Sequence, residues 1–218
     1  MIFHLPMDEG KGTKTAVLGS KGGTSSTATL MNGATWDKGK HGTAIKLDGK
    51  NDYVHGPAIK GRPALKDMTG CIWAKFASTN SGGHRQYMID TNPQTYILLV
   101  DETSSGKAVK MDTYFGPGSK ELYTGSLSIK LHSWNHYCSL REGTTTRHYL
   151  DGKLVKEGKN YAGTKTINPA AWIAGTYYGS RTKKGQYFVH GSMCAMRIYD
   201  RALKPKEIQF LYKAGACF

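Results

Sequence analysis

Residues 191 to 215 read GSMCAMRIYDRALKPKEIQFLYKAG, and this ending restricts the fold more than any other stretch. Met193 to Tyr199 carries the residues of a strand, and Asp200-Arg201 makes a charged turn after it. Pro205 suits a first helical position, where its missing N–H has no helical partner and its φ is already set. Ile208, Leu211 and Tyr212 form one apolar stripe, and Gly215 can stop the helix in a left-handed conformation. A helix is expected over Pro205 to Ala214, and no helical periodicity precedes it. The chain therefore reads as a β protein that closes with one strand and one short amphipathic helix.

The rest of the chain agrees. Twenty-seven glycines and 13 tyrosines among 218 residues suit many short strands joined by tight turns. Gln94 to Val100 is too short for a globular helix and rich in β formers, so it reads as a buried strand. Lys107 to Phe115 alternates as a strand does, and Gly116-Pro117-Gly118 ends it. Asp151-Gly152, between two alternating segments, is a strong hairpin signal. Trp73, Trp134, Leu47, Ile198 and Tyr199 are expected in the core.

Several motifs, in order along the chain, carry a resemblance. They are Leu5 to Thr13 with its Asp8-Glu9-Gly10 turn, Gly39 to Val54, and Cys71 to Phe76 with a tryptophan at its centre. Trp134 to Tyr137, the hairpin Arg147 to Val155, and the ending described above complete the series. Together they resemble the laminin G-like, concanavalin A-like sandwiches. The resemblance implies an all-β, two-sheet antiparallel jelly-roll sandwich with one short C-terminal helix, spanning residues 1–218 as a single domain. It speaks for fold rather than chemistry, because a fold hosts many functions.

Charge points to the partner. Thirty Lys and Arg against 16 Asp and Glu give a formal net charge of +14, spread through the turns. That field suits an anionic polysaccharide or an acidic protein surface. Nucleic acid is not expected, since no helix-turn-helix, zinc-finger or RNA-recognition signature accompanies the charge. No apolar run approaches the roughly 18–20 residues of a membrane span, and residues 1–15 lack the pattern of a secretory signal. An extracellular or virion-surface setting is expected, with many copies on one assembly. The spacing of Cys71, Cys138, Cys194 and Cys217 resembles no disulfide framework or zinc motif. Reduced structural thiols are expected, with a bridge among the strand cysteines as the alternative.

Two basic, aromatic segments are candidate ligand sites. One runs from Thr176 to Tyr187 and offers Tyr177, Tyr178, Arg181 and Lys183. The other runs from Ser81 to Tyr87 and offers His84, Arg85 and Tyr87. Tyrosine rings give a sugar a flat apolar face, and arginine gives a planar fork for a carboxylate or sulfate. The resemblance also implies a structural Ca²⁺, and the matching carboxylates are Glu9, Asp48 and Asp200.

Catalysis is not expected. The hydrolases of this fold need two carboxylates flanking the scissile bond, and no such array appears in the sequence. A polysaccharide lyase is the alternative, because His84, Arg85, Gln86, Tyr87, Tyr114, His136, Arg147 and Tyr149 supply the right residue types. None of the lyase motifs of this fold is intact. The leading expectation is a non-catalytic binding or adhesion module, with carbohydrate as ligand. A capsid or tail decoration protein without glycan binding is the other alternative.

Overall fold

The computed structural model of the chain describes residues 1, 3–19, 26–58, 65–78, 85–91, 95–102, 109–115, 118–127, 129–163, 171–178 and 185–215. Strands β1 (Phe3–Leu5), β4 (Thr35–Lys38), β5 (Thr43–Asp48), β7 (Met68–Phe76), β11 (Asn135–Glu142), β12 (Thr145–Leu150), β13 (Lys153–Gly158) and β17 (His190–Tyr199) form an eight-stranded sheet A. Strands β2 (Lys14–Val17), β3 (Ser26–Met31), β6 (Tyr53–Ala58), β8 (Arg85–Thr91), β9 (Thr95–Glu102), β10 (Val109–Tyr114) and β14 (Ala171–Ala174) form a seven-stranded sheet B. A small ribbon of β15 (Tyr177–Tyr178) and β16 (Gly185–Gln186) stands beside them, and helix α1 spans Pro205–Ala214.

The two sheets are antiparallel, in the orders β13-β12-β11-β7-β17-β5-β4 and β10-β9-β8-β14-β6-β3-β2. One cluster of buried residues gathers Leu5, Leu47, Ile72, Phe76 and Ile198 from sheet A with Leu30, Val54, Ile89 and Met111 from sheet B. Each such side chain taken from water contributes about 1.5–3 kcal/mol. The sandwich expected from the sequence is the fold observed.

Strand β17 is the spine of sheet A. Its first half pairs β5, its second half pairs β1, and β7 runs along its other side. A β-bulge interrupts the β17–β7 register between Cys194 and Arg197, where Ala195 takes φ +51° and its N–H donates to Pro6 O at 2.9 Å. The extra residue resets the alternation of faces. Cys194 opposes Trp73 before the bulge, and Arg197 opposes Cys71 after it.

The hairpin read at Asp151-Gly152 is present, with φ +50° and +75° at the two turn residues joining Leu150 to Lys153. Both left-handed conformations are what a type I′ turn requires. Helix α1 also falls where expected. Pro205 opens it, Glu207 reaches back to accept the Lys204 N–H at 2.8 Å, and Gly215 closes it at φ +49°. The strand expected over 94–100 is β9, and that over 107–115 is β10.

Two expectations change. Trp73 is buried, but not between the sheets. It shares the outer face of β7 with Cys71, stacks on Tyr212 of α1 at 5.7 Å and lies under the Lys40 ammonium at 3.8 Å. The helix covers this face with a second apolar cluster, in which Leu203 and Ile208 meet Leu140 and Tyr149. Trp134 and Tyr199 are only partly buried, at the margins of the two clusters.

The second change concerns the cysteines. Cys71 and Cys138 are bonded to each other rather than reduced. They stand directly opposite in the β7–β11 register, with Cα atoms 4.2 Å apart, so the bridge follows from strand pairing. Cys194 is disulfide-bonded as well.

Candidate functional site

Two of the segments singled out in the sequence meet at one end of the sandwich. Tyr87, on β8, is buried, and its N–H donates to Tyr187 O at 3.2 Å. The two rings stack, with centroids 5.7 Å apart and planes inclined by 29°. Tyr187 remains 38% exposed and holds φ +55°, an uncommon conformation for a bulky residue. Its ring therefore lies flat on Tyr87 with one face turned outward.

The segment carrying Tyr187 is tied down on several sides. Thr176 Oγ1 donates to Gln186 O at 2.8 Å, and Val189 N donates to Gly175 O at 2.8 Å. The Gln86 side chain bridges strands, donating to Ser78 O and accepting the His190 N–H, both at 2.8 Å. Gly185 is required by close approach, because a Cβ there would sit 2.7 Å from the Phe188 ring and 2.9 Å from Thr176 Oγ1. A site held this way loses little entropy when a ligand arrives.

Against this segment lies the turn after β5. Together they enclose an open cleft of about 710 Å³ lined by Asp48, Lys50, Gln186, Tyr187, Phe188 and His190. Asp48 Oδ1 accepts the N–H groups of Lys50, Asn51 and Asp52 at 2.8, 3.2 and 3.4 Å. Burial opposes its ionisation, yet these donors hold the carboxyl below its usual range, so the turn keeps a fixed negative charge. The cleft thus offers an aromatic face, a carboxylate, an ammonium, an amide and an imidazole.

Of the ligand residues read from the sequence, Tyr87 forms the floor beneath Tyr187. Arg85 stands at the start of β8 and donates to Tyr123 Oη at 3.3 Å. Tyr177 and Tyr178 pair in the β15–β16 ribbon, opposite Gln186 and Gly185. His84, Arg181 and Lys183 lie outside the described residues. Lys50, Gln186 and His190 were not anticipated as ligand residues. Gln186 lies inside the Thr176 to Tyr187 segment and Lys50 inside the Gly39 to Val54 motif, and His190 opens β17.

The proposed calcium carboxylates do not converge. Asp48 is in register with His190 at the start of β17, and Asp200 follows its far end. Ten extended residues separate them, about 30 Å. Glu9 is engaged elsewhere, accepting the Ala16 N–H of β2. These three residues do not fit one ion. Among the described residues, the His, Cys, Asp and Glu side chains close enough to share a metal are Cys71, His136 and Cys138, and the two sulfurs are already bonded to each other.

The lyase candidates are dispersed too. His136 is sealed between Trp73 and the Cys138 sulfur, and burial followed by the Arg197 and Lys40 charges pushes its pKa down to about 3. Arg147 is held by Glu142 and Glu157 on the face of β12. Tyr149 is buried under α1.

Residues 48–209 match the concanavalin A-like lectin/glucanases superfamily. The chain belongs to that family. It is 26% identical over 171 residues to the neuronal pentraxin receptor of Homo sapiens, covering 75% of this chain and 33% of that protein. The chain thus spans about a third of the length of the curated relatives it matches. Among solved structures it is similar to a heptameric SAP-like pentraxin from Limulus polyphemus, with TM-score 0.56 and 16% identity over 76% of this chain and 83% of that one. Domain 4 of the extracellular arabinanase AbnA from Geobacillus stearothermophilus, solved with arabinotriose, aligns with TM-score 0.66 and 17% identity over 89% and 91% of the two chains. The binding domain of a botulinum neurotoxin of serotype D/C aligns with TM-score 0.68 and 11% identity over 98% and 51%. These likenesses are likenesses of fold, and a fold hosts many functions.

Proposed function

We propose that this domain binds carbohydrate in the Tyr187 cleft, as a non-catalytic adhesion module. The observation that carries the reading is the Tyr187 ring, fixed at a positive φ over Tyr87 and turned outward among Asp48, Lys50, Gln186 and His190. A sugar needs this combination, an apolar face for its C–H side and fixed donors and acceptors for its hydroxyls. The arabinotriose bound by the AbnA domain supports glycan binding on a sandwich of this kind.

The Cys71–Cys138 bridge supports an oxidising, extracellular setting. Among the described residues no helix is long and apolar enough to cross a membrane. Display in several copies would add avidity to a weak site, and the pentraxin neighbour is a heptamer.

A glycan array followed by calorimetry on the hits tests the reading. Binding that is lost in Tyr187→Ala supports it. A wild-type protein that binds no glycan overturns it, leaving docking on an acidic protein surface, which the net charge of +14 favours.

A further inference from the structure

A second recess adjoins the cleft, and His190 lines both. It measures about 220 Å³ and lies on the outer face of sheet A. Strand register builds it. Lys46 of β5 is opposite Ser192 of β17, Ser192 is opposite Lys75 of β7, and Asp37 reaches the row from β4. Trp134 stands beyond Lys75, whose ammonium is 5.4 Å from its ring centroid. His190 and Ser192 are alternate residues on one face of β17, about 7 Å apart, so the recess and the cleft form one track.

The hydrogen bonds in this row leave a particular set of groups turned outward. Asp37 is closed by its neighbours. One oxygen accepts from Lys75 Nζ at 3.2 Å and from the Ser192 hydroxyl, and the other accepts the Lys38 N–H at 2.8 Å. Asp37 therefore neutralises Lys75 and has little capacity left for a cation. The Ser192 hydroxyl donates its hydrogen to Asp37 and, although the residue is largely buried, keeps acceptor lone pairs at the wall of the recess. Lys46 is exposed, and no carboxylate pairs with it among the described residues. The row thus holds one uncompensated ammonium, a hydroxyl that accepts and two further Lys75 protons.

We propose that this recess is a second subsite, which takes the carboxylate or sulfate of an acidic sugar residue while the next residue of the same chain lies on Tyr187. The inference rests on the cleft being a glycan site and names its ligand class, an acidic polysaccharide crossing His190. Lys46 and Lys75 meet the anionic oxygens, and Ser192 accepts a sugar hydroxyl. A neutral sugar leaves the Lys46 charge unused, so the row discriminates by charge where the cleft does not.

Calorimetry with three oligosaccharides of matched length tests this: a galacturonate oligomer, a sulfated galactan oligomer and a neutral galactan oligomer. The wild type should bind one of the anionic probes more tightly than the neutral one, and which of them wins distinguishes carboxylate from sulfate. Lys46→Gln should weaken the anionic probe about twofold to fivefold and leave the neutral one unchanged, within the range expected for an exposed ion pair. Lys156→Gln, which removes the same charge from exposed strand β13, should change neither. Tyr187→Ala should weaken all three. Equal binding of charged and neutral probes, or a Lys46→Gln effect no larger than that of Lys156→Gln, overturns the subsite and leaves the cleft standing. Failure of the wild type to bind any of the three overturns the subsite together with the reading on which it rests.

Discussion

Tyr87 and Tyr187 are 100 positions apart in sequence, yet their rings stack at 5.7 Å and their backbones share a hydrogen bond of 3.2 Å. The buried partner positions the exposed one. This couples a residue of sheet B to the approach of β17, and it explains how an aromatic face can stay outward without collapsing into the core.

Replacing Tyr187 with Ala should therefore separate binding from folding. Loss of the stacking face should weaken glycan binding about tenfold, while stability should fall by about 1–3 kcal/mol, the aromatic pair together with the covered part of the ring. Calorimetry and urea melts on the same preparation check both. A large loss of stability with unchanged binding would assign Tyr187 to structure alone.

The Cys71–Cys138 bridge closes a loop with a sequence separation of 67. By the chain-entropy argument, a loop of that size stabilises the fold by about 4 kcal/mol. The Cys71→Ala/Cys138→Ala pair should lose that much in chemical denaturation under non-reducing conditions. Both residues line the cluster beneath α1, so the melt should also uncouple the helix first, visible as an early loss of near-ultraviolet signal from Trp73. A double variant as stable as the wild type would refute a stabilising bridge.

This bridge also marks where the sequence stops being legible. The C-terminal helix, the Asp151-Gly152 turn and the sandwich itself rest on local signals, namely a proline, a glycine, an alternation or a family motif. The pairing of Cys71 with Cys138 rests on the register between β7 and β11, which no local spacing reveals. The cleft is legible only in part for the same reason. Tyr87 and the segment reaching Tyr187 stand out by composition, whereas Lys50, His190 and Lys46 are ordinary until three strands align them. The calcium trio failed in the opposite way. Asp48 and Asp200 have the right chemistry, but β17 holds them at its two ends.

Acid should destabilise the protein through its buried histidines. His148 is fully enclosed. Its Nε2–H donates to Leu122 O at 2.8 Å, and Nδ1 accepts from Ser139, which in turn accepts from Thr113 at 2.7 Å. Burial pushes its pKa from 6.5 down to about 4, and His4 is lowered to about 4 as well, by burial and then by Arg197. Between pH 6.5 and pH 4 the unfolded chain takes up protons that the folded one refuses, so stability present above that window is lost as pH falls through it. Urea midpoints measured across this range should drop. His148→Gln should flatten the slope by up to about 1.4 kcal/mol per pH unit. A parallel slope in the variant would show that His148 does not stay neutral in the fold.

The bulge in β17 gives a test of the register in the second half of that strand. Ala195 is buried at φ +51°, where a Cβ is tolerated poorly and a branched side chain worse. Glycine there relieves the backbone but frees the unfolded chain, so Ala195→Gly should leave stability within about 1 kcal/mol. Ala195→Val should cost about 2–4 kcal/mol, combining backbone strain with overpacking. The bulge also decides which residues of β17 face outward. Ser192 and His190 precede it and keep their places opposite β5 and β7 whatever happens beyond Cys194. Ala195→Val should therefore reduce stability without changing glycan affinity in the protein that remains folded. Equal stability of the valine and glycine variants would mean that β17 runs without the bulge, and the faces assigned to Arg197 and Ile198 would have to be exchanged.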